Sequence, residues 1–346
     1  MKHFLIGGFS FLLTYCLVPI IMRAAIWFGI LDVPDGKVKC HRQPVPYLGG
    51  LAVYVGFISV FFYAYSCDTY MYWLLLGVTI LLITGLIDDL WALLPGQKLI
   101  GQLLAVCCFV FCGLYFKESF FASYINIVFS VFWMLTIINA FNLVDVMDGL
   151  SSLIAIIAGV SFLIIAILGE NFGVSLLLIS FLGAMCAFFL HNKPPAKIYL
   201  GDMGSLFIGG LLSAIPLLLP WSDFVVDMRC APIFILSILL LEVFSLVVIR
   251  TILGIPFYRA SPHHFSLYLQ RKGWSKWVIL LYTGIMGVAF AAVGIFHFIN
   301  ALSFMAALIF ILGLVVFWCL IVFTQFLNSN MTMPCESVSR PGDLAH

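Results

Sequence analysis

The chain has 346 residues, of which 64% are hydrophobic and 9% charged, with a mean hydropathy of +1.18 and a net charge of +1. No soluble domain can hide so much apolar side chain, so a water-soluble protein is excluded. The near-neutral balance, with no long basic run, argues against a nucleic-acid partner. Ten cysteines without a CxxC pair read as small buried hydrophobes rather than metal ligands.

Apolar runs close to the roughly 20 residues that cross a bilayer predict an all-α fold, a polytopic membrane bundle of about eleven transmembrane helices. In chain order the spans are 4–23, 48–66, 71–87, 98–115, 121–139, 151–168, 173–190, 204–220, 231–251, 277–296 and 301–325. The first run lacks a clear small-residue cleavage site and reads as a retained helix. No internal repeat is visible. Residues 1–326 form a single transmembrane domain that carries all the chemistry below, and 327–346 a polar tail.

Lys and Arg favour cytoplasmic loops. With the N-terminus outside, thirteen of them lie inside: Arg23, Lys37, Lys39, Arg42, Lys98, Lys193, Lys197, Arg250, Arg259, Arg271, Lys272, Lys276 and Arg340. Only Lys2, Lys117 and Arg229 remain outside. The odd span count then puts the C-terminus and the tail in the cytoplasm. The same topology places Asp88, Asp89, Asp145, Asp148 and Asp202 at the cytoplasmic ends of helices.

The inner loop "LDVPDGKVKCHRQPVPYLGG" (31–50) holds Lys37, Lys39, His41 and Arg42 and by itself reads only as a positive-inside loop. In "GLIDDLWALLPGQKL" (85–99), Asp88 and Asp89 are adjacent. Neighbouring like charges repel, and a divalent cation or a cationic partner such as Lys98 would relieve them; a solvated helix end is the plain alternative. In "NAFNLVDVMDGLSS" (139–152) a helical reading puts Asn142, Asp145 and Asp148 on one stripe. Carboxylates and amides at that spacing suit a polar ligand or a hydrated Mg²⁺, the alternative being a helix-capping cluster.

"NKPPAKIYLGDMGSLFIGG" (192–210) sets Asp202 between Gly201 and Gly204 ahead of a helix. Glycines admit a close ligand, and a helix N-terminus attracts phosphate. Tyr199 could stack on a planar base or be an interfacial tyrosine. Glu242 lies within a span, as a functional or a hydrogen-bonded structural acid. "YRASPHHFSLYLQRKGWSK" (258–276) places His263 and His264 among Arg259, Arg271, Lys272 and Lys276. Such a loop could hold a pyrophosphate or meet anionic lipid; with no nearby Cys, zinc is disfavoured.

Acids for a metal, an aromatic, a Gly-flanked acid and a basic loop sharing one face fit phosphoryl transfer, where catalysis is mostly positioning and charge neutralisation. A soluble nucleotide would supply the phosphate and a membrane lipid receive it. An ion-coupled transporter would more often place its acids near the bilayer midplane, within inverted repeats. An intramembrane prenyltransferase would not account for "YLGDMGS" or the basic histidine loop.

Taken together, "IDD", "NAFNLVDVMDGL", "AKIYLGDMGSLFIGG" and "PHHF", in that order after "DVPDGKVKCHRQPVPYLGG", resemble the polyprenyl-phosphate N-acetylhexosamine-1-phosphate transferases of glycosyltransferase family 4. The resemblance spans about residues 30–275. It implies Mg²⁺ (or Mn²⁺), a UDP-N-acetylhexosamine and polyprenyl (undecaprenyl) phosphate as partners within the lipid bilayer, release of UMP, and possible homodimers. Carried over by motif, Asp88, Asp89, Asp145, Asp148, His263 and His264 are the catalytic candidates. Asn142, Tyr199, Asn192, Lys98 and Arg259 are the binding candidates, and Asp202, Asp148 and Asp89 those for the metal. Val146 stands where members often have Gly, and the histidine motif holds two His rather than three. "PHHF" and Glu242 lean toward the phospho-MurNAc-pentapeptide branch, whereas the 31–50 segment leans toward the GlcNAc branch.

Overall fold

The computed structural model describes residues 2–32, 44–65, 69–117, 122–219, 230–256 and 263–327, with side chains between 5 and 322. Among them the helices are α1 (Lys2–Phe28), α2 (Gly49–Ala64), α3 (Thr69–Trp91), α4 (Pro95–Phe111), α5 (Ser123–Val144), α6 (Leu150–Leu168), α7 (Phe172–Asn192), α8 (Gly201–Leu218), α9 (Ala231–Ile235), α10 (Ser237–Ile252), α11 (Phe265–Arg271), α12 (Lys276–Phe298) and α13 (Phe304–Leu327). Eight of these, α1, α3, α5, α6, α7, α8, α12 and α13, are long and apolar enough to cross a membrane. The protein is therefore a polytopic helical membrane protein.

Every predicted span falls on a helix, with differences that matter. α2 and α4 are shorter, at 16 and 17 residues. The ninth predicted span is broken at Leu236, so α9 and α10 replace one continuous rod. α5 runs on past the predicted end at residue 139 to Val144, which takes Asn142 into the helix. The basic loop holds the short helix α11, and the 31–50 segment contributes a small antiparallel pair, β1 (Leu31–Asp32) and β2 (Val45–Pro46), with Leu31 opposite Pro46. The polar tail after residue 327 lies outside the described residues.

Burial grades across the bundle and sets the position of the site. In the apolar window of α8, 78% of residues are buried, against 17% in α1. An all-round apolar helix belongs in the middle of a bundle, and α8 packs on α2, α3 and α5. Its N-terminus is thus surrounded by the C-terminal ends of α3 and α5 and the N-terminal ends of α2 and α4. Alternating helix direction brings Asp88, Asp89, Lys98, Asn142, Asp145 and Asp202, all at helix ends, to the same end of the bundle.

Candidate active site

The centre of this end is an ammonium. α4 starts sharply, with Pro95 in its first turn and the Gln97 side chain accepting the Leu94 N–H at 2.9 Å, a combination that fixes a helix start. One residue on, Lys98 directs Nζ to Asp88 Oδ2 (2.8 Å), Asp202 Oδ2 (2.7 Å) and Asn142 Oδ1 (3.1 Å). An ammonium has three donors, and all three are used. Asn142 donates in turn to Asp202 Oδ1 at 2.7 Å and Ser205 Oγ at 3.1 Å. Asp88 also takes the Leu93 N–H at 2.7 Å, closing the turn between α3 and α4. One turn deeper, Gln102 and Asn139 exchange amide hydrogen bonds of 2.9 and 3.1 Å, a second polar rung between α4 and α5.

Asp89 has a different duty from its neighbour. Gly201, with φ +76°, lets the chain turn sharply into α8. The N–H groups of Asp202 and Met203 then donate to the two oxygens of Asp89 at 2.9 and 3.1 Å. A carboxylate from α3 thereby satisfies two orphan donors of α8 and meets its dipole favourably. The Tyr47 hydroxyl donates to the Asp89 carbonyl at 3.0 Å, and Gly49 and Gly50 donate their N–H groups to Tyr199 and Leu200 at 3.0 and 2.9 Å. This stitches the start of α2 to the turn before α8.

The expected stripe of Asn142, Asp145 and Asp148 does not form. α5 stops at Val144, Asp145 caps it, and Gly149 at φ +74° redirects the chain before α6 begins. The two acids therefore face different surroundings. Asp145 has no hydrogen bond to a described residue. Burial, then the charges of Asp202 and Asp89, hold its carboxyl well above the usual carboxylate range. Asp148 is buried and accepts from Lys276 Nζ at 2.8 Å and from the Ala196 N–H at 3.2 Å.

Asn192 is committed to the protein. Its Oδ1 accepts from the Gly149 N–H (3.0 Å) and Ser152 Oγ (2.8 Å), and its Nδ2 donates to the Ile198 carbonyl at 2.9 Å. Tyr199 lies between the two groups of acids. Its phenol is held above its ordinary value by burial and then by Asp148, Asp32 and Asp145. The structure therefore brings Asp88, Asp89, Lys98, Asn142, Asp145 and Asp202 together, with Tyr199 leading from them to Asp148.

His263 and His264 occupy a separate corner where α11 meets α10. His264 Nδ1 lies 2.9 Å from Glu242 Oε1, both side chains being nearly enclosed. His263 is buried, and its Nδ1 has no hydrogen-bond partner among the described residues. Burial, then Arg271, Arg250 and His264, depress its tendency to take a proton. Among the described residues, the Glu242–His264 contact ties this corner together, whereas the bonds of Lys98 tie the acidic cluster. Arg259 lies outside them. Lys276, read from the sequence with the basic histidine loop, pairs instead with Asp148. Gln102, Ser205 and Asp32 were missed as parts of these networks, and no local signal marked them.

Fold and site together define a multi-pass membrane protein with a cluster of carboxylates, one ammonium and an amide at one end of its bundle. Residues 71–219 match the family model of glycosyl transferase family 4, a stretch that runs from α3 to α8 and contains every residue from Asp88 to Asp202. The chain is 27% identical over 291 residues to a Bacillus subtilis (strain 168) protein named probable undecaprenyl-phosphate N-acetylglucosaminyl 1-phosphate transferase, covering 82% of this chain and 81% of that one. It is 29% identical over 328 residues to the phospho-N-acetylmuramoyl-pentapeptide-transferase of Bacillus anthracis (strain A0248), covering 84% and 96%. The family that the motifs resemble is the one these matches return.

Proposed function

We propose that the chain transfers an N-acetylhexosamine 1-phosphate, GlcNAc-1-phosphate before others, from a UDP-sugar to polyprenyl phosphate. An oxygen of the lipid phosphate attacks the sugar-bearing β-phosphorus. The bond from that phosphorus to the bridging oxygen breaks, and UMP leaves with the electron pair. A phosphate monoester is already mostly dianionic at neutral pH, its second pKa being about 6. Little proton removal is therefore needed, and the larger task is to bring two anions together. Lys98 would orient one of them, and Asp88 and Asp202 would keep Lys98 in place.

The observation that carries this reading is a charge imbalance beside the matched motifs. Asp88, Asp89, Asp145 and Asp202 gather with Lys98 as the ammonium bonded among them, and Asp145 has acidic neighbours but no hydrogen bond to a described residue. That surplus suits a divalent cation. Among the described residues no three His, Cys, Asp or Glu side chains form a closed metal cage. A cage is not what Mg²⁺ requires, because it commonly takes one or two carboxylates, keeps several waters and completes its shell with substrate phosphate. Asp145 and Asp202 are the residues that would hold it: Asp145 has no hydrogen bond to a described residue, and the oxygens of Asp202 are held by the side chains of Lys98 and Asn142, which can swing away, whereas those of Asp89 are tied to backbone N–H groups of α8. When bound, Mg²⁺ would neutralise the diphosphate and the leaving UMP.

In this reading the N-terminus is outside, the C-terminus is cytoplasmic, and the site opens to the cytoplasm of an inner (plasma) membrane, supported by the thirteen-to-three bias of Lys and Arg. The test is purified protein with undecaprenyl phosphate, Mg²⁺ and labelled UDP-GlcNAc, UDP-GalNAc or UDP-MurNAc-pentapeptide. UMP release with one of them is the expected result. Relatives of both branches match over comparable lengths, so the pentapeptide donor is the second reading, and the panel separates the two. Absence of UMP with every donor would end the proposal.

A further inference from the structure

Glu242 is an acid within α10, 0% exposed, and the reaction outlined above makes no use of it. Its Oε1 meets His264 Nδ1 at 2.9 Å, while Oε2 has no hydrogen-bond partner among the described residues. A buried carboxylate needs compensation. Here that comes from the imidazole and from Arg250, which is eight residues further along the same face of α10 and within electrostatic reach of Glu242. A carboxylate oxygen facing Nδ1 at 2.9 Å suits the tautomer in which Nδ1 donates, which leaves Nε2 as the ring atom for a ligand. His264 precedes the first turn of α11 in an extended conformation (φ −71°, ψ 141°) and makes no capping bond. Among the described residues, the carboxylate is the one hydrogen-bond partner that orients its ring.

We infer that Glu242 is a positioning residue for His264, fixing the tautomer and orientation in which Nε2 meets an anionic oxygen of the UDP-sugar. This rests on the proposed transferase reading and assigns to the buried acid a share in substrate recognition. His263 receives no such support. It is flanked by Arg250 and Arg271, so the two adjacent histidines are not equivalent, and the carboxylate selects His264.

The experiment is a double-mutant cycle in the full-length protein, read as UMP release with kcat and KM determined separately. Glu242→Leu should lower kcat/KM on the order of 10–100-fold, the usual loss when the partner orienting a functional histidine is removed. It should change the same parameter, KM or kcat, that His264→Ala changes. Glu242→Gln keeps an acceptor for Nδ1–H and should recover part of the loss. The Glu242→Leu/His264→Ala double variant should be no worse than His264→Ala alone, to within about twofold. Losses that multiply in the double variant would overturn the inference, as would a Glu242→Leu protein of unchanged kcat/KM. If Glu242→Leu does not fold, the cycle is run with Glu242→Gln and decided by the same non-additivity. A wild type that releases no UMP would instead refute the transferase reading itself, so the two failures are distinguishable.

Discussion

The Lys98 cluster and the α10–α11 corner are built from the same kinds of group in opposite proportion. Around α8, four carboxylates gather with one ammonium bonded among them. At the corner, two guanidiniums and two imidazoles accompany one carboxylate. Buried charge is tolerated only when paired, so each region is left short of the opposite sign. A negative surplus suits a cation and a positive surplus suits an anion. A reaction that needs Mg²⁺ and a diphosphate would draw on both.

The sharpest way to break this contrast is Asp202→Asn. It removes one of the two charges that bind Lys98 and, in the proposed reading, a cation ligand. Turnover should fall by at least about 100-fold, the scale for losing a preorganised electrostatic group. The protein should still elute as a folded species in detergent, and near-normal UMP release would remove Asp202 from the site.

Asn192→Ala tests the scaffold between the two groups of acids. Three hydrogen bonds disappear and the Gly149 N–H loses its acceptor, at a cost of about 1–3 kcal/mol for a buried group left unpaired. The expected outcome is a lower melting temperature together with partial loss of activity. Lost activity at unchanged stability would assign Asn192 to the ligand instead.

Gln102→Leu alone strands the amide of Asn139 and should destabilise by a similar or smaller amount. Adding Asn139→Leu should restore much of the stability, because replacing both members of a buried pair is nearly neutral. Thermal unfolding of the three variants decides it. No recovery would mean that the pair does more than hold α4 against α5.

The smallest effect belongs to His263. Its folded form resists protonation, whereas the unfolded chain takes a proton near pH 6.5. The stability it contributes is therefore present above about pH 6.5 and lost as pH falls through that value and below. His263→Gln should flatten this acid-side decline in melting temperature. An unchanged slope would show that other groups govern it.

Much of this was legible in the sequence because charge in an apolar chain has few places to go. The adjacency of Asp88 and Asp89 called for a cation, and Lys98 is bound to the first of them. The helices were visible as apolar runs, and their direction of travel placed the acids at one end. The rest depended on tertiary approach. Nothing local could say that Asp89 would cap a helix 113 residues away, or that Asn142 would bond Asp202 across 60. The predicted stripe failed because 3.6-residue periodicity was carried past Val144, where α5 ends, so that Asp145 and Asp148 lie in the turn before α6. Gln102 escaped notice because a polar residue in an apolar run has no visible partner until two helices face each other.

The saturated state of Lys98 has a consequence for ligand entry. With each N–H already engaged, an arriving anion cannot simply add to the ammonium; it must displace Asn142, Asp88 or Asp202. Occupancy is then an exchange equilibrium, and its apparent affinity is weakened by the strength of the bond given up. The partner released is left seeking a new counterpart at the moment the anion binds.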